Sequence, residues 1–430
     1  MKTVHLTNAW HESSGGISTF YRALIEAANR NRHELRLIVP GRETRIEEKP
    51  PYCRIYHLKS PPAPFNSSYR WLLPYRYLLP WGDVNRLLRA ERPEVVEICE
   101  KYVLPYLGGL LRRGWLMGVR FRPAVIGLSM ERLDDNLRSY LPAMPEAAAA
   151  RLCRIYMKWL YFPFFDHHIT ISAHTADELR QASLGHAVER GVWIRPLGVD
   201  TALMHPGRRC GELRRSLVAR AGGAEDSRLL LYAGRLAPEK NLSLLVDTMA
   251  VLHRRAGMDF RLVVAGSGIE REWLESAMRV SCPGRVVFLG HVSSREELAG
   301  LYASCDAFLH PNASEPFGIA PLEAMASGLA LVAPARGGVL TYASHDNAWL
   351  AEPTAADFAG AAIGATSDTP LRRQRIATAR DTAERFTWQA VTDGYLALYA
   401  HIGRGLAGEQ GAELAPDFRS TAGDRLGMEI

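Results

Sequence analysis

A chain of 430 residues is longer than one hydrophobic core usually spans, so two domains of about 200 residues each are the natural division. Apolar residues at 47% and charged residues at 23% exclude a largely disordered or fibrous chain. The net charge of +6 is uneven, with 28 Lys+Arg against 20 Asp+Glu in residues 1–200 and 24 against 26 in the remainder; this suits an anionic partner or the negative inner face of a membrane, with a merely Arg-rich surface as the plain alternative. Nucleic acid ranks lower, because no groove-reading motif accompanies the charge.

In chain order, Met1-Lys2-Thr3 runs directly into a predicted strand over Thr3–Leu6. No long apolar run lies near the start, so neither a secretory signal nor a spanning helix is expected. The turn His11-Glu12-Ser13-Ser14-Gly15-Gly16 precedes a predicted helix from Ile17 through Ala28. Two adjacent glycines opening a helix let backbone approach a ligand closely. Further strands are predicted at Leu35–Val39, Val95–Ile98, Ala124–Leu128 and His168–Ile171, the last followed by Ser172-Ala173-His174-Thr175 entering a helix. Strands alternating with helices point to a parallel sheet.

Between them, Tyr69 to Trp81 mixes aromatics, leucines and arginines. Such a segment can settle at headgroup depth of a bilayer. Pro74 and Pro80 forbid a long helix across it, and packing of its rings onto the core is the more economical reading. The six cysteines are scattered without metal or redox spacing and read as buried thiols in a reducing compartment.

A boundary near Pro206 leads to the second domain, predicted to hold strands at Leu229–Ala233, Leu262–Ala265, Val286–Leu289, Ala307–His310 and Ala330–Ala333. After the first of these, Arg235-Leu236-Ala237-Pro238-Glu239-Lys240-Asn241 opens a helix with Leu242, Leu245, Val246 and Met249 on one face. A loop at the carboxyl end of a parallel strand faces the ligand crevice. Arg235 can fork two oxygens of a diphosphate while Lys240 adds a compact charge. Gly266-Ser267-Gly268 is a glycine turn after the next strand, weak as a signal by itself.

The most informative stretch is Glu315-Pro316-Phe317-Gly318-Ile319-Ala320-Pro321-Leu322-Glu323. Ile319, Leu322, Ala326 and Leu329 recur at helical spacing and Gly328 sits at the stop. A helix starting near Gly318 or Ile319 would aim its free N–H groups and dipole at a diphosphate in front of Phe317. Glu315 could then accept hydrogen bonds from hydroxyls of a sugar and Glu323 from a ribose diol; two solvated glutamates are the plain alternative. A last helix is predicted from Thr387-Trp388 to about Tyr399, and after Gly403 the composition turns to Gly, Ala, Glu and Asp, predicting a loose tail.

Taken in order, Gly15-Gly16, Gly234-Arg235 with Glu239-Lys240-Asn241, Gly266-Ser267-Gly268, Glu315 through Glu323 and Gly337-Gly338 resemble a retaining glycosyltransferase of the large GT4 family over roughly residues 1–400. The resemblance implies a GT-B architecture: two α/β, Rossmann-like domains with parallel sheets facing across a cleft. The acceptor domain would cover 1–205, the nucleotide-sugar domain 206–385, a helix over 386–403 would cross back, and 404–430 would form the tail. It also implies that the nucleotide sugar is a substrate, that no cofactor or metal is needed, and that Gly15 and Gly16 face the donor. His291 and Val292, after Gly290, would frame the nucleobase by backbone contacts. Two positions depart from the family. Leu197 replaces a frequent asparagine, and Met130 in Ile126-Gly127-Leu128-Ser129-Met130-Glu131-Arg132-Leu133-Asp134 stands where many relatives place a sugar-contacting histidine. Methionine cannot accept a proton there: either Glu131, Ser129 or another group substitutes, the register differs, or the chain is weakly active, although the retaining chemistry needs no histidine base because the leaving diphosphate can take the proton.

The expected activity is hexosyl transfer with retained configuration, with Arg235, Lys240 and the helix start neutralising the departing diphosphate. The Ser129–Asp134 segment resembles a mannosyltransferase version, favouring GDP-mannose ahead of UDP-sugars, and the basic first half favours a lipid or glycan acceptor for an enzyme in the cytoplasm, on the inner membrane face. The rivals are a non-catalytic sugar-nucleotide binder, a GT-B epimerase, and a dinucleotide-binding dehydrogenase. The last is disfavoured because Gly266-Ser267-Gly268 lies late and lacks the full fingerprint.

Overall fold

The structure, a computed structural model, describes residues 1–10, 15–63, 66–140, 144–183, 191–255 and 257–406. The expected turn at 11–14 and the expected tail beyond 406 lie outside the described residues.

The chain divides into two compact units, Met1–Leu197 joined by the helix from Trp388, and Gly198–Thr387. The division falls at Leu197/Gly198, ahead of the boundary expected at Pro206. Its cause is local: Val199 donates its N–H to the Phe386 carbonyl at 2.8 Å and bridges to Thr387, so the linker residues belong to the second unit.

The first unit carries β1 (Lys2–Leu6), β2 (Glu34–Gly41), β3 (Arg45–Lys49), β4 (Cys53–Lys59), the hairpin β5 (Pro62–Ala63) and β6 (Asn66–Arg70), β7 (Val95–Ile98), β8 (Ala124–Ser129), β9 (His167–Thr170) and β10 (Val192–Ile194). Eight of these form one sheet in the order β10-β9-β8-β7-β1-β2-β4-β3. All neighbours are parallel except β3, which runs antiparallel along the edge. The order reverses at β1, as a doubly wound sheet requires, because right-handed crossovers then place helices on both faces. Covered on both faces, β7 and β8 are buried throughout. The antiparallel β3 was not legible in the sequence, since Arg45-Ile46-Glu47-Glu48-Lys49 has only one apolar residue, and that one faces solvent.

The helix Gly16–Arg30 buries Phe20, Tyr21, Leu24, Ile25, Ala27 and Ala28 on one face. Ser172 caps the helix Ala173–Ala182 by accepting from the Thr175 N–H at 3.1 Å, while Thr175 accepts from the Ser172 N–H. The helix Trp388–Leu406 docks on the same unit through Tyr395, whose hydroxyl donates to the Arg195 carbonyl at 2.8 Å, and Tyr399, whose hydroxyl donates to Glu97. Glu97, fully buried on β7, also accepts from Tyr21 at 2.9 Å and pairs with His5 at 2.9 Å. A buried carboxylate needs such partners to offset its lost hydration.

The second unit carries β11 (Arg228–Ala233), β12 (Phe260–Ala265), β13 (Val286–Gly290), β14 (Ala307–Leu309), β15 (Ala330–Pro334) and β16 (Trp349–Ala351), all parallel, in the order β13-β12-β11-β14-β15-β16. The order reverses between β11 and β14, which places the loops after both strands at the switch point where such sheets hold ligands. Its core gathers Leu230, Leu262, Val264, Leu309 and Val332 with Leu245 and Met249 of the helix Leu242–His253.

In the Tyr69–Trp81 segment the expected packing onto the core holds for some residues only. Leu72 and Tyr77 are fully buried, and Arg76 is buried with them, whereas Tyr75, Leu78 and Trp81 are exposed. Five cysteines are buried thiols as expected, but Cys210 is exposed, because its sulfur accepts from the Leu213 N–H at 3.5 Å to cap the helix Gly211–Arg220. Burial pushes the Cys53, Cys153 and Cys282 thiols up to about 11. Among the described residues no helix is long and apolar enough to cross a membrane, and no group of three or more His, Cys, Asp or Glu could hold a metal ion.

Candidate functional site

The loop after β11 folds into the short helical turn Pro238–Lys240 and leaves it through Asn241, which is left-handed at φ 52°. The Asn241 carboxamide donates to the Pro311 carbonyl at 3.1 Å. This ties the loop after β11 to the loop after β14. Lys240 thereby reaches Glu315, Nζ to Oε2 at 2.8 Å, and the Asn312 carboxamide donates to the same oxygen at 3.0 Å. Burial alone would raise the Glu315 carboxyl; the Lys240 ammonium and these hydrogen bonds outweigh it and hold the group down at about 2. Beside it, burial keeps His310 neutral, pushed down to about 4.

The helix after Glu315 runs from Ile319 to Ala326 and ends before Gly328, whose φ of 71° suits the stop. Gly318 precedes it at φ 85°, a conformation that only glycine adopts without strain. The N–H groups of Gly318, Ile319 and Ala320 have no intrahelical acceptor, and Pro321 has no N–H to orphan. Tyr342 fixes this start by donating its hydroxyl to the carbonyls of Phe317 at 3.1 Å and Gly318 at 2.5 Å. Phe317 itself is buried against the Tyr342 ring at 5.1 Å, so only its backbone is available to a ligand.

The glycine pairs have packing reasons. A Cβ on Gly338 would sit 1.9 Å from the Pro316 carbonyl oxygen, and the Gly338 N–H donates to the Glu315 carbonyl at 2.7 Å. A Cβ on Gly266 would meet the Gly234 carbonyl oxygen at 1.9 Å, and one on Gly268 the Leu236 carbonyl oxygen at 2.1 Å. Gly268, expected at the donor, therefore lets the turn after β12 lie against the Arg235 loop. The nucleobase candidates His291 and Val292 follow β13 directly, with His291 exposed.

Two expectations change. Glu323 is buried and already engaged: Arg295 donates to Oε1 at 2.9 Å and Tyr302 to Oε2 at 3.2 Å. Its carboxyl is raised by burial despite Arg295, because Leu322 and Met325 carry this helix face into the core. Arg235 does not join Lys240; it pairs with Glu239 at 2.6 Å and remains mostly exposed. Of the four side chains expected to converge, Lys240 and Glu315 touch, while Arg235 and Glu323 hold other partners. Asn312, Arg295 and Tyr342 were missed: nothing in their spacing marks them, since Arg295 and Tyr342 act through partners distant in the sequence and Asn312 through a loop turn that brings it onto Glu315. Two cavities of about 370 and 240 Å³ lie elsewhere in this unit, around Trp349 and Arg375 and around Met278 and Phe288, and contain none of the site residues.

In the first unit, Gly15 is exposed and open, with nothing within 4 Å of a Cβ placed on it, and Gly16 begins the helix. Ser129 ends β8 and donates to the Glu131 carbonyl at 3.3 Å, and Met130 is buried. The buried Lys101 donates to the Glu131 carbonyl and to Glu178, whose other oxygen accepts from the Leu133 N–H at 2.7 Å.

Comparison with known proteins fits this arrangement. Residues 215–382 match the family described as Glycosyl transferases group 1, and residues 14–203 match Glycosyltransferase Family 4. A GDP-mannose-dependent alpha-(1-6)-phosphatidylinositol dimannoside mannosyltransferase of Mycobacterium tuberculosis is 30% identical over 398 residues, covering 92% of this chain and 95% of its own. The chain belongs to the family 4 glycosyltransferases. A GDP-mannose-dependent alpha-mannosyltransferase of Corynebacterium glutamicum is 26% identical over 410 residues, covering 94% of this glycosyltransferase and 89% of its own length. Among solved structures, the sucrose-phosphate synthase of Thermosynechococcus elongatus superposes with a TM-score of 0.72 at 21% identity, covering 94% of this chain and 100% of that one. The fold is GT-B, and the protein is a hexosyltransferase.

Proposed function

We propose that this glycosyltransferase moves mannose from GDP-mannose to a lipid or glycan acceptor with retention of configuration, at the cytoplasmic face of a membrane; a UDP-linked sugar is the next candidate donor. The observation that carries the reading is the Lys240–Glu315 pair at 2.8 Å ahead of the helix start at Ile319. An ammonium and a row of free N–H groups then meet the diphosphate, while an ionised carboxylate accepts from sugar hydroxyls. As the bond from the anomeric carbon to the diphosphate oxygen breaks, Lys240 and the N–H groups of Gly318–Ala320 take up the developing charge. The acceptor oxygen bonds the anomeric carbon on the same face, and its proton passes to the departing diphosphate.

Arg235 is the second cation in this reading. Its pair with Glu239 is exposed, so it is worth under about 1 kcal/mol and is readily exchanged for a diphosphate. Glu323, with two of its lone-pair positions already filled, retains others for a ribose hydroxyl. GDP-mannose is supported by the mannosyltransferase names of the full-length relatives, and neither a metal nor a cofactor enters the step.

Melting curves with GDP, UDP and ADP test the donor, because a ligand that binds only the folded chain raises its melting temperature. GDP should give the largest rise; a larger rise with UDP would replace GDP-mannose by a UDP-sugar. A second reading, a sugar-nucleotide binder without transfer, is favoured by Met130, which offers no proton acceptor. Radiolabelled donors incubated with membrane lipids separate the two, since a pure binder would shift in melting yet label no product.

A further inference from the structure

The first unit carries a face whose composition its own core does not explain. Trp81, Trp115, Met117 and Trp159 are 70%, 71%, 59% and 62% exposed. They stand on a well-packed layer, since Tyr77, Leu107, Leu116, Met157 and Tyr161 beside them in sequence are buried in one cluster. They also belong together. The Asn85 carboxamide donates to the Tyr77 carbonyl at 3.1 Å and to the Met117 carbonyl at 2.9 Å, joining the turn before Trp81 to the loop after Trp115. Arg89 donates to the Pro80 carbonyl at 2.5 Å and lies along Gly118. The Arg113 guanidinium sits 5.6 Å from the Trp115 ring and 5.3 Å from the Phe164 ring, and Lys158 sits 5.0 Å from the Trp159 ring in a turn packed on the helix Pro105–Arg113.

Cations predominate on this face, where Asp83 is held between Arg76 and Arg86. Residues 101–130 contain no Asp or Glu but include Arg112, Arg113, Arg120 and Arg122. Arg112 and Arg122 pair with Asp166, whereas neither Arg113 nor Lys158 has an acidic partner among the described residues. Exposed indoles interleaved with unpaired cations match the interface of an anionic bilayer: the rings lie at headgroup depth while the cations reach lipid phosphates. A protein partner would have to supply many carboxylates beside apolar pockets for three tryptophans.

We propose that the face bearing Trp81, Trp115, Met117, Trp159, Arg113 and Lys158 docks the first unit onto an anionic lipid surface. The proposal rests on the membrane part of the function proposed above and gives it a location. It needs neither the donor nor the acceptor to be known.

The test is co-sedimentation of the full chain with vesicles of phosphatidylcholine alone and of phosphatidylcholine mixed with phosphatidylglycerol. Binding is expected to the mixed vesicles, weakened by salt. Trp81→Ala with Trp115→Ala, and separately Arg113→Glu with Lys158→Glu, should each lower partitioning about tenfold with unchanged circular dichroism and melting temperature. Failure of the parent chain to bind mixed vesicles, or equal binding by both double variants, overturns the proposal. A chain that is dimeric in solution and becomes monomeric on Trp81→Ala with Trp115→Ala assigns the face to a second copy instead. The GDP melting shift, read on the same preparations, reports the donor site independently, so failure of the parent chain to bind mixed vesicles with an intact GDP response would sink the docking face and spare the enzyme.

Discussion

Two lysine–glutamate pairs, one in each unit, are chemically alike and physically opposed. Lys101 and Glu178 in the first unit have side chains 1% and 7% exposed, and Lys240 and Glu315 in the second have 20% and 15%. Lys101 is used up by Glu178 and the Glu131 carbonyl, with the Tyr161 ring 5.8 Å away, and the other oxygen of Glu178 holds the Leu133 N–H. Lys240 has Glu315 as its hydrogen-bonded partner and two further N–H donors to offer. A pair whose partners are all inside the fold shapes a loop. A pair with spare donors and an opening can receive an anion.

That contrast is broken most sharply at Lys101. Lys101→Met leaves Glu178 buried without its cation and should destabilise the chain by about 3–5 kcal/mol, read as a drop in the urea midpoint. Adding Glu178→Gln should restore part of the loss, and an unchanged midpoint for the single variant would show that the pair shapes nothing. Lys240→Ala should act first on function, lowering turnover by about 10²–10³-fold, on the scale of one lost oxyanion donor, with a smaller loss of stability than Lys101→Met, because Glu315 keeps the Asn312 hydrogen bond and part of its hydration. Near-normal turnover there would remove Lys240 from the chemistry. The same pair has an acid limit. Because the folded-state pKa of Glu315 is depressed to about 2 from an ordinary 4.5, its contribution to stability is complete above 4.5 and lost as pH falls towards 2. Lys240→Ala should flatten that part of the acid unfolding curve.

How much of this was legible follows from where each signal lives. Strands buried on both faces, such as Val95–Ile98 and Leu229–Ala233, announce themselves as apolar runs, and the helix after Glu315 is marked by periodicity and Gly328. The edge strand Arg45–Lys49 is not, because its pairing with β4 rests on backbone and on the polar pairs Glu48–Arg54 and Glu47–His57 rather than on an apolar run. The loops with Lys240 and Glu315 could be singled out because cations and acids after strands are rare enough to notice. Their actual junction, Asn241 on the Pro311 carbonyl and Asn312 on Glu315, could not, since an asparagine in a loop has many ordinary uses. Glu323 shows the same limit: its spacing from Glu315 was visible, but its capture by Arg295 was not.

Arg295 sharpens the comparison within the second unit, where Glu315 and Glu323 are both carboxylates near the helix start but are shifted in opposite directions. Desolvation is the largest cause for Glu323, opposed by Arg295 and Tyr302 and aided by Asp200. Arg295→Gln removes the main opposing charge, so Glu323 should hold its proton to higher pH and accept fewer hydrogen bonds from a ribose. The donor KM should rise about tenfold, roughly 1.4 kcal/mol, with kcat little changed. Because the defect comes from protonation, it should be largest in the pH window between the titrations of Glu323 in the parent chain and in the variant, and narrow on either side of it. A pH-independent defect would mean that Arg295 only packs the helix.

The smallest effect is expected at Met130, where the family often uses histidine. If the departing diphosphate takes the acceptor's proton, an imidazole adds orientation of a sugar hydroxyl but no obligatory base. The place is also shaped by its neighbours: Ser129 and Lys101 both hold the Glu131 carbonyl, so the backbone on either side of residue 130 is fixed whatever the side chain. Met130→His should therefore change turnover by less than about one kcal/mol of barrier, under about sixfold, and leave melting nearly unchanged. A gain of several hundredfold in product formation would instead identify the methionine as the lesion of a protein that binds its donor and scarcely transfers it.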